Sequence, residues 1–218
     1  MTTLPACVLA ITIAKRAAAC GVRCMARAAG RCPLARVAAL ALVLAMAIAG
    51  TSAALHAAWT VFETHHRLAF VPDALEVRHI VYAKEASEGF GPGANEAGIL
   101  VYAIPGPIAD RIEAEGPAFL DHLPDNTRSR SARWQGRFEA WQRTPIVPDA
   151  RWPAGTGRHG SLVYDYVCAY GVCIDIDDAI LGDTAAALTE AGNYVAYGRI
   201  GMLVVSPKRR RAYFLYSG

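Results

Sequence analysis

The feature that most constrains this chain is an uncharged stretch near its N-terminus, from Val37 to Phe62. Its first half, Val37 to Gly50, is almost entirely Ala, Val, Leu, Ile and Met. About 20 apolar residues in a helix, each rising about 1.5 Å, cross a hydrocarbon layer about 30 Å thick. The stretch therefore predicts a transmembrane helix over residues 37–60 in contact with membrane lipid. Trp59 and Phe62 lie where aromatic anchors are expected.

Positive charge is unevenly distributed about this stretch. Six of the 22 Lys and Arg residues precede it, whereas the first acidic residue of the chain is Glu63. Basic residues before a membrane helix hold the N-terminus in the cytoplasm. We therefore expect a single-pass protein of the bacterial inner membrane. Residues 1–36 are predicted to be a basic cytoplasmic arm, and residues 61–218 a domain in the periplasm or outside the cell.

A cleaved signal peptide is the alternative interpretation of the same stretch. Translation from Met25 would give a short basic region, an apolar core and then small residues, Thr51 to Ala54, that suit signal peptidase. The uncharged stretch continues through Leu55 to Val61, further than such a core requires, which favours an uncleaved anchor. Both interpretations place the domain outside the cytoplasm. A soluble protein with a buried helix is a third interpretation.

The charge of the domain argues against a nucleic-acid partner. With six basic residues in the arm, 16 Lys and Arg remain against 19 Asp and Glu, so the rest of the chain has a net charge of −3. The sequence pI of about 8.6 therefore reflects the arm. Phosphate backbones are bound by basic surfaces, so we expect no nucleic acid to bind the domain.

The pattern of apolar residues after the stretch predicts an α+β domain. Strand patterns rich in Val, Ile and Tyr lie at residues 76–85, 99–104, 134–144, 194–205 and 212–216. Helical patterns follow Pro105 and cover residues 177–191. Met202–Val205 and Ala212–Leu215 are apolar on both faces, which predicts central strands. We expect a mixed or antiparallel sheet with two main helices.

Residues 161–177 contain two cysteines in a pattern that predicts a hairpin. With a two-residue turn at Tyr170 and Gly171, Cys168 and Cys173 face each other at a position without backbone hydrogen bonds, where side chains approach most closely. Outside the cytoplasm such a pair forms a disulfide. The same register places Asp165 on the apolar face, so either the register is wrong or this acid is buried and paired.

The segment Ala86–Gly98 (ASEGFGPGANEAG) is predicted to be a long loop with a capacity to bind. Loops of this length usually bind a ligand or pack on themselves, and glycines can expose backbone N–H groups to an anion. The segment leads into a strand and not a helix, so the dinucleotide and P-loop mechanisms do not apply. Its candidate ligand-binding residues are Phe90, Asn95 and Glu96.

No catalytic, metal or cofactor motif stands out elsewhere in the chain. The aspartates Asp175, Asp177 and Asp178 lack the spacing of a calcium loop and suit the start of a helix. The basic run Lys208–Arg211 is expected to be a solvated turn, with contact to anionic lipid headgroups or to an acidic partner as the alternative. The histidines have no metal-ligand spacing, so we expect no metal and no cofactor.

These patterns favour a non-enzymatic, membrane-anchored module that binds an envelope protein or a surface polymer. An extracytoplasmic hydrolase is the alternative, and its candidate residues are Asp165, His159 and Glu96. A small-ligand sensor built on the glycine-rich loop 86–98 is a third hypothesis.

Overall fold

The computed structural model describes residues 33–88, 95–124, 126, 136–149, 152 and 159–218. The chain divides into two compact units, Met1–Val61 and Phe62–Gly218. Helix α1 (Pro33–Leu68) has 36 residues and contains the uncharged stretch. Its most apolar 18-residue window has a mean hydropathy of 2.2, and no residue of that window is buried. By length and composition, α1 is long and apolar enough to cross a membrane.

The second unit is built on one antiparallel sheet of six strands. The strands are β1 (Ile80–Glu88), β2 (Asn95–Ala103), β3 (Glu139–Arg143), β4 (Tyr194–Tyr197), β5 (Gly201–Ser206) and β6 (Arg211–Ser217). Their order across the sheet is β1-β2-β6-β5-β4-β3, with every neighbouring pair antiparallel. The α+β class is confirmed. The two predicted central strands correspond to β5 and β6, which lie in the interior of the sheet.

Helices cover both faces of this sheet. They are α2 (Gly106–Glu115), α3 (Pro117–Leu120), α4 (Leu162–Val167) and α5 (Asp178–Thr189), and a short 3-10 turn spans Asp73–Leu75. Residues of α2 and α3 pack with Leu100 and Tyr102 in one core, and residues of α4 and α5 pack with Ile99 and Val101 in the other. Alternate residues of one strand thus enter opposite cores. The detail of two main helices is not confirmed, because α4 was not predicted.

The predicted hairpin at residues 161–177 is wrong. Ser161 caps a helix there, its hydroxyl accepting a hydrogen bond from the N–H of Val163 at 3.2 Å. Val163 and Val167 are both fully buried. Residues four apart lie on one face of a helix, so the apolar spacing that suggested a strand also satisfies α4. The strand register that placed Asp165 on the apolar face of this hairpin is therefore also wrong.

Two further boundaries differ from the prediction. Strands β1 and β2 extend into the expected loop 86–98, with Glu88 paired to Asn95, so that the connection is only residues 89–94. The strand predicted over residues 194–205 is two strands, β4 and β5, which pair as a hairpin. Asp177 occupies the position before α5 but makes no side-chain capping hydrogen bond.

Candidate functional site

A cavity of about 210 Å³ opens beside the turn that joins β4 to β5. Three tyrosines from two separate parts of the chain line it, together with the residues of that turn. We call it the tyrosine cavity and define it by Tyr166, Tyr170, Tyr197, Arg199 and Ile200; Ala169, Gly198, Gly201 and Ser217 complete its wall.

The inner wall of the tyrosine cavity is held by Trp152. Its indole N–H donates a hydrogen bond of 3.0 Å to the hydroxyl of Tyr197. Its ring meets the ring of Tyr166 edge to face, with centroids 5.1 Å apart, and the rings of Tyr166 and Tyr197 lie 6.5 Å apart. Trp152 itself is 4% exposed. Aromatic pairs in this geometry stabilise each other by about 0.5–1.5 kcal/mol, so the wall is rigid.

The outer rim of the tyrosine cavity is exposed. Tyr170 is 54% exposed and Ile200 is 38% exposed, and the side chain of Arg199 is exposed beside them. Exposed aromatic rings offer flat apolar faces and a polar hydroxyl, and a guanidinium offers a planar positive group with several donors. The arrangement suits a ligand that has both apolar ring faces and negative charge.

The turn that carries Tyr170 is closed by a disulfide. The Sγ atoms of Cys168 and Cys173 lie 2.16 Å apart, and the N–H of Gly171 donates to the carbonyl of Cys168 at 3.2 Å. Gly171 has φ +97°, which favours glycine. The structure thus holds the predicted cysteine pair at disulfide distance, in a turn after α4 and not in a hairpin.

Of the three residues predicted in the glycine-rich loop, Asn95 lies next to this turn. Its side-chain amide donates a hydrogen bond of 3.1 Å to the carbonyl of Tyr170. Glu96 is exposed at the start of β2, and its carbonyl accepts a hydrogen bond of 2.9 Å from the N–H of Gly218. Neither residue belongs to the cavity wall. Phe90 lies outside the described residues.

His159 lies beside the disulfide. A ring nitrogen of His159 and the two Sγ atoms all lie within 4.8 Å of one another. Asp165 is fully buried, and its carboxylate accepts a hydrogen bond of 2.9 Å from the backbone N–H of His159. The acid is therefore buried and paired, although the register that singled it out was wrong. The sequence did not predict that His159 lies close to the two cysteines, because the spacing of these three residues matches no metal-ligand motif.

A second, larger cavity of about 360 Å³ lies against α2 and α3. Three of the titratable side chains in its lining, those of Arg111, Glu115 and His122, are engaged with one another or with the backbone. Arg111 lies 3.2 Å from Glu115 and stands over the ring of Phe119 at 4.7 Å from its centroid. His122 Nδ1 lies 2.9 Å from the carbonyl of Ala118. No predicted site residue that the structure describes lines either cavity, but Asn95 and the Cys168–Cys173 pair adjoin the turn that carries Tyr170, so the tyrosine cavity is the stronger candidate.

One polar cluster joins the C-terminal end of α1 to the sheet. Glu85 Oε1 accepts a hydrogen bond of 2.7 Å from Tyr216, and Glu85 Oε2 accepts one of 2.7 Å from Arg67 Nε. The hydroxyl of Tyr102 donates to the carbonyl of Arg67 at 2.7 Å. Burial, and then the nearby Glu85, raise the pKa of both tyrosines above its ordinary value. The cluster stabilises the fold and lines neither cavity.

A second polar cluster joins the β5–β6 turn to α5. Arg209 donates to Asp183 at 3.0 Å and to Glu190 at 2.6 Å. The hydroxyl of Tyr213 also donates to Asp183. Burial, and then this bond to Asp183, raise the pKa of Tyr213, whereas the bond to Glu190 raises the pKa of Arg209. The basic turn is therefore not simply solvated, because Arg209 is ion-paired.

Comparison of this chain with protein-family models, with curated proteins and with solved structures finds no match. The function must therefore be argued from the residues and the geometry above.

Proposed function

We propose that this protein is a membrane-anchored module that binds a polymer of the bacterial envelope through the tyrosine cavity. Helix α1 supports the anchor, since its most apolar 18-residue window contains no buried residue. The six basic residues that precede it favour a domain outside the cytoplasm. The observation that carries the proposal is a group of three tyrosines, one exposed and two half-buried, held in place by Trp152 and by the disulfide turn.

The shape of the cavity favours a chain over a small molecule. Pockets that enclose a small molecule measure about 300–1,000 Å³, and the tyrosine cavity at about 210 Å³ is smaller and open. Such a surface contacts one or two units of a longer chain and leaves the rest in solvent. Tyr170 and Ile200 would meet apolar ring faces, and Arg199 would meet carboxylates of the polymer. A glycan that bears carboxylated groups has both features.

The lining of the cavity favours binding over hydrolysis. None of the described residues that line it is an Asp or a Glu, so no carboxylate there is placed to act as a general acid or base. Asp165, the acid favoured by the hydrolase hypothesis, is fully buried. The three candidate residues of that hypothesis lie apart from one another. Asp165 is buried, His159 lies beside the disulfide, and Glu96 lies at the start of β2.

The location is tested by protease treatment of intact spheroplasts that express the full chain. We expect the domain to be digested and a membrane-bound fragment of about 60 residues to survive, because the arm lies inside the spheroplast and the apolar part of α1 is covered by lipid. A domain that resists protease until the membrane is lysed would overturn the proposed topology.

The binding site is tested by sedimentation of the detergent-solubilised full chain with purified peptidoglycan sacculi. We expect Tyr170→Ala to weaken binding by about tenfold, as for an exposed aromatic contact at the centre of a site, and Tyr170→Phe to retain most of it. Val147→Ala is the matched control, because Val147 is 84% exposed and does not line the cavity. Equal sedimentation of Tyr170→Ala and the wild-type protein would exclude this site.

A further inference from the structure

We propose that the Cys168–Cys173 disulfide is a thiol–disulfide exchange site, with His159 as the proton donor to the departing sulfur and an external dithiol as the reaction partner. The proposal is carried by the geometry at the disulfide. It does not depend on what the tyrosine cavity binds.

The two halves of the disulfide differ in exposure. Cys173 is exposed, whereas Cys168 is 5% exposed. Exchange proceeds by attack of a thiolate on one sulfur through a mixed disulfide, and access decides which sulfur is attacked. An incoming thiolate therefore reaches Cys173, and Cys168 becomes the leaving group. A disulfide that serves only to join two buried segments has no need of an exposed half.

The leaving sulfur has an imidazole beside it. The ring nitrogen of His159 and both sulfurs lie within 4.8 Å of one another. A buried thiolate is a poor leaving group unless a nearby cation or proton donor stabilises it, and histidine is the usual group for that purpose. Asp165 positions the backbone of His159, because its buried carboxylate accepts a hydrogen bond from the backbone N–H of His159.

The disulfide contributes a smaller part of the stability of the fold than the two apolar cores do. The second unit has two extensive apolar cores, one on each face of the sheet, and the bond closes a loop with a sequence separation of only five. Short loops gain the least from being closed in the chain-entropy account. An exposed bond that closes so short a loop and has a proton donor beside it fits a reactive role better than a purely structural one.

The reaction conserves atoms and electrons. A thiolate of the dithiol attacks Cys173 Sγ, the S–S bond breaks, and its electron pair leaves on Cys168 Sγ, which takes the proton of the His159 imidazolium. The second thiol of the dithiol gives its proton to the now neutral His159 imidazole and, as a thiolate, attacks the sulfur that is bound to Cys173. Cys173 departs as a thiolate, and the dithiol closes to a disulfide. The dithiol loses two electrons, and the protein disulfide gains them.

The first test is the rate at which dithiothreitol reduces this bond in the detergent-solubilised full chain. Alkylation followed by mass analysis of the peptides that hold Cys168 and Cys173 separates them from the cysteines of the N-terminal arm. We expect His159→Ala to slow reduction about 100-fold, the lower end of the usual range for loss of a positioned proton donor. Free imidazole should partly restore the rate. His122→Ala is the control, because His122 is exposed and lies at the other cavity.

Misfolding cannot imitate this result, because a loosened domain exposes the bond and speeds its reduction. Reduction of His159→Ala at the wild-type rate would overturn the role of the histidine.

The second test compares the two sulfurs singly. In Cys168→Ser the remaining Cys173 should form a mixed disulfide with oxidised glutathione at least about tenfold faster than Cys168 does in Cys173→Ser, since only Cys173 is exposed. Equal rates would overturn the proposed direction of attack.

Discussion

Tyr216 in β6 donates its hydroxyl hydrogen bond to Glu85 in β1, at 2.7 Å, across the strand that separates them. In that intervening strand, Gly98 is the register partner of both residues. The tyrosine ring therefore crosses directly over a glycine. A Cβ atom at Gly98 would overlap the ring of Tyr216, so the absence of a side chain there allows the hydrogen bond to form.

Gly98→Ala should lower the free energy of unfolding by about 1–3 kcal/mol, the usual cost of overpacking. The ring cannot swing away without breaking its bond to Glu85. Urea unfolding of the detergent-solubilised full chain, followed by tryptophan fluorescence, measures the change. Gly182→Ala is the control: the site is open and lies within α5, so alanine should stabilise by up to about 1 kcal/mol. If Gly98→Ala left the free energy of unfolding unchanged, the close approach of the Tyr216 ring to Gly98 would be contradicted.

Alkaline pH should destabilise the domain through its buried tyrosines. Burial raises the pKa of Tyr102, Tyr213 and Tyr216 in the folded protein. As the pH rises past about 10, the unfolded chain loses these protons while the folded protein retains them. Below that pH the contribution of these tyrosines to the free energy of unfolding is fully present. Above it, each tyrosine lowers the free energy of unfolding by at most about 1.4 kcal/mol per pH unit.

Urea unfolding of the full chain at pH 9, 10 and 11 measures this dependence. Tyr216→Phe should show a shallower decline than the wild-type protein, because one titrating group is gone. An unchanged slope in that variant would mean that Tyr216 ionises as readily in the folded protein as in the unfolded chain.

The basic turn before β6 should contribute to stability through one residue. Arg209→Ala should lower the free energy of unfolding by about 1 kcal/mol, since it removes the half-exposed ion pairs to Asp183 and Glu190. Lys208→Ala, at an exposed position in the same turn, should change it by less than about 0.5 kcal/mol. Both values come from thermal unfolding at low salt. Added salt should reduce the difference between the variants, and equal effects would mean that the ion pairs contribute nothing.

Loss of the disulfide should affect binding more than folding. The double variant Cys168→Ser with Cys173→Ser should lower the free energy of unfolding by about 2 kcal/mol, the chain-entropy cost of opening so short a loop. The turn that carries Tyr170 would then be free to move, and binding to sacculi should weaken. Unfolding and sedimentation of the same sample separate the two effects. Full binding by the double variant would show that the bond does not position Tyr170.

Patterns within single strands were sufficient to predict the centre of the sheet. Met202–Val205 and Ala212–Leu215 are apolar on both faces because both cores of the domain contact them. The helix after Pro105 was also predictable, since proline fits the first turn of a helix.

Local patterns failed where two structures satisfy the same spacing. Val163 and Val167 lie on one face of a strand and equally on one face of a helix, and the choice depends on the cap at Ser161 and on the surface that α4 covers. The pairing of Cys168 with Cys173 was predictable despite this, because residues so close in sequence can be bridged by a turn as well as by a hairpin.

The tyrosine cavity could not be predicted from the sequence. Tyr166 and Tyr170 follow one another closely, but Tyr197 and Arg199 reach them only because α4 packs on the face of the sheet to which β4 contributes. The link between His159 and the disulfide has the same origin. Contacts of this kind depend on tertiary packing, which leaves no periodic trace in the sequence.

The strand order has a consequence for how this domain is made. The hairpins β1–β2 and β4–β5 can each form as soon as their own residues are available, but only β6 joins them into one sheet. Until residues 211–217 have been synthesised, the two halves have no shared hydrogen bonds between strands. A chain with this strand order leaves the strand edges of both halves unpaired, and therefore prone to aggregation, until its last strand arrives.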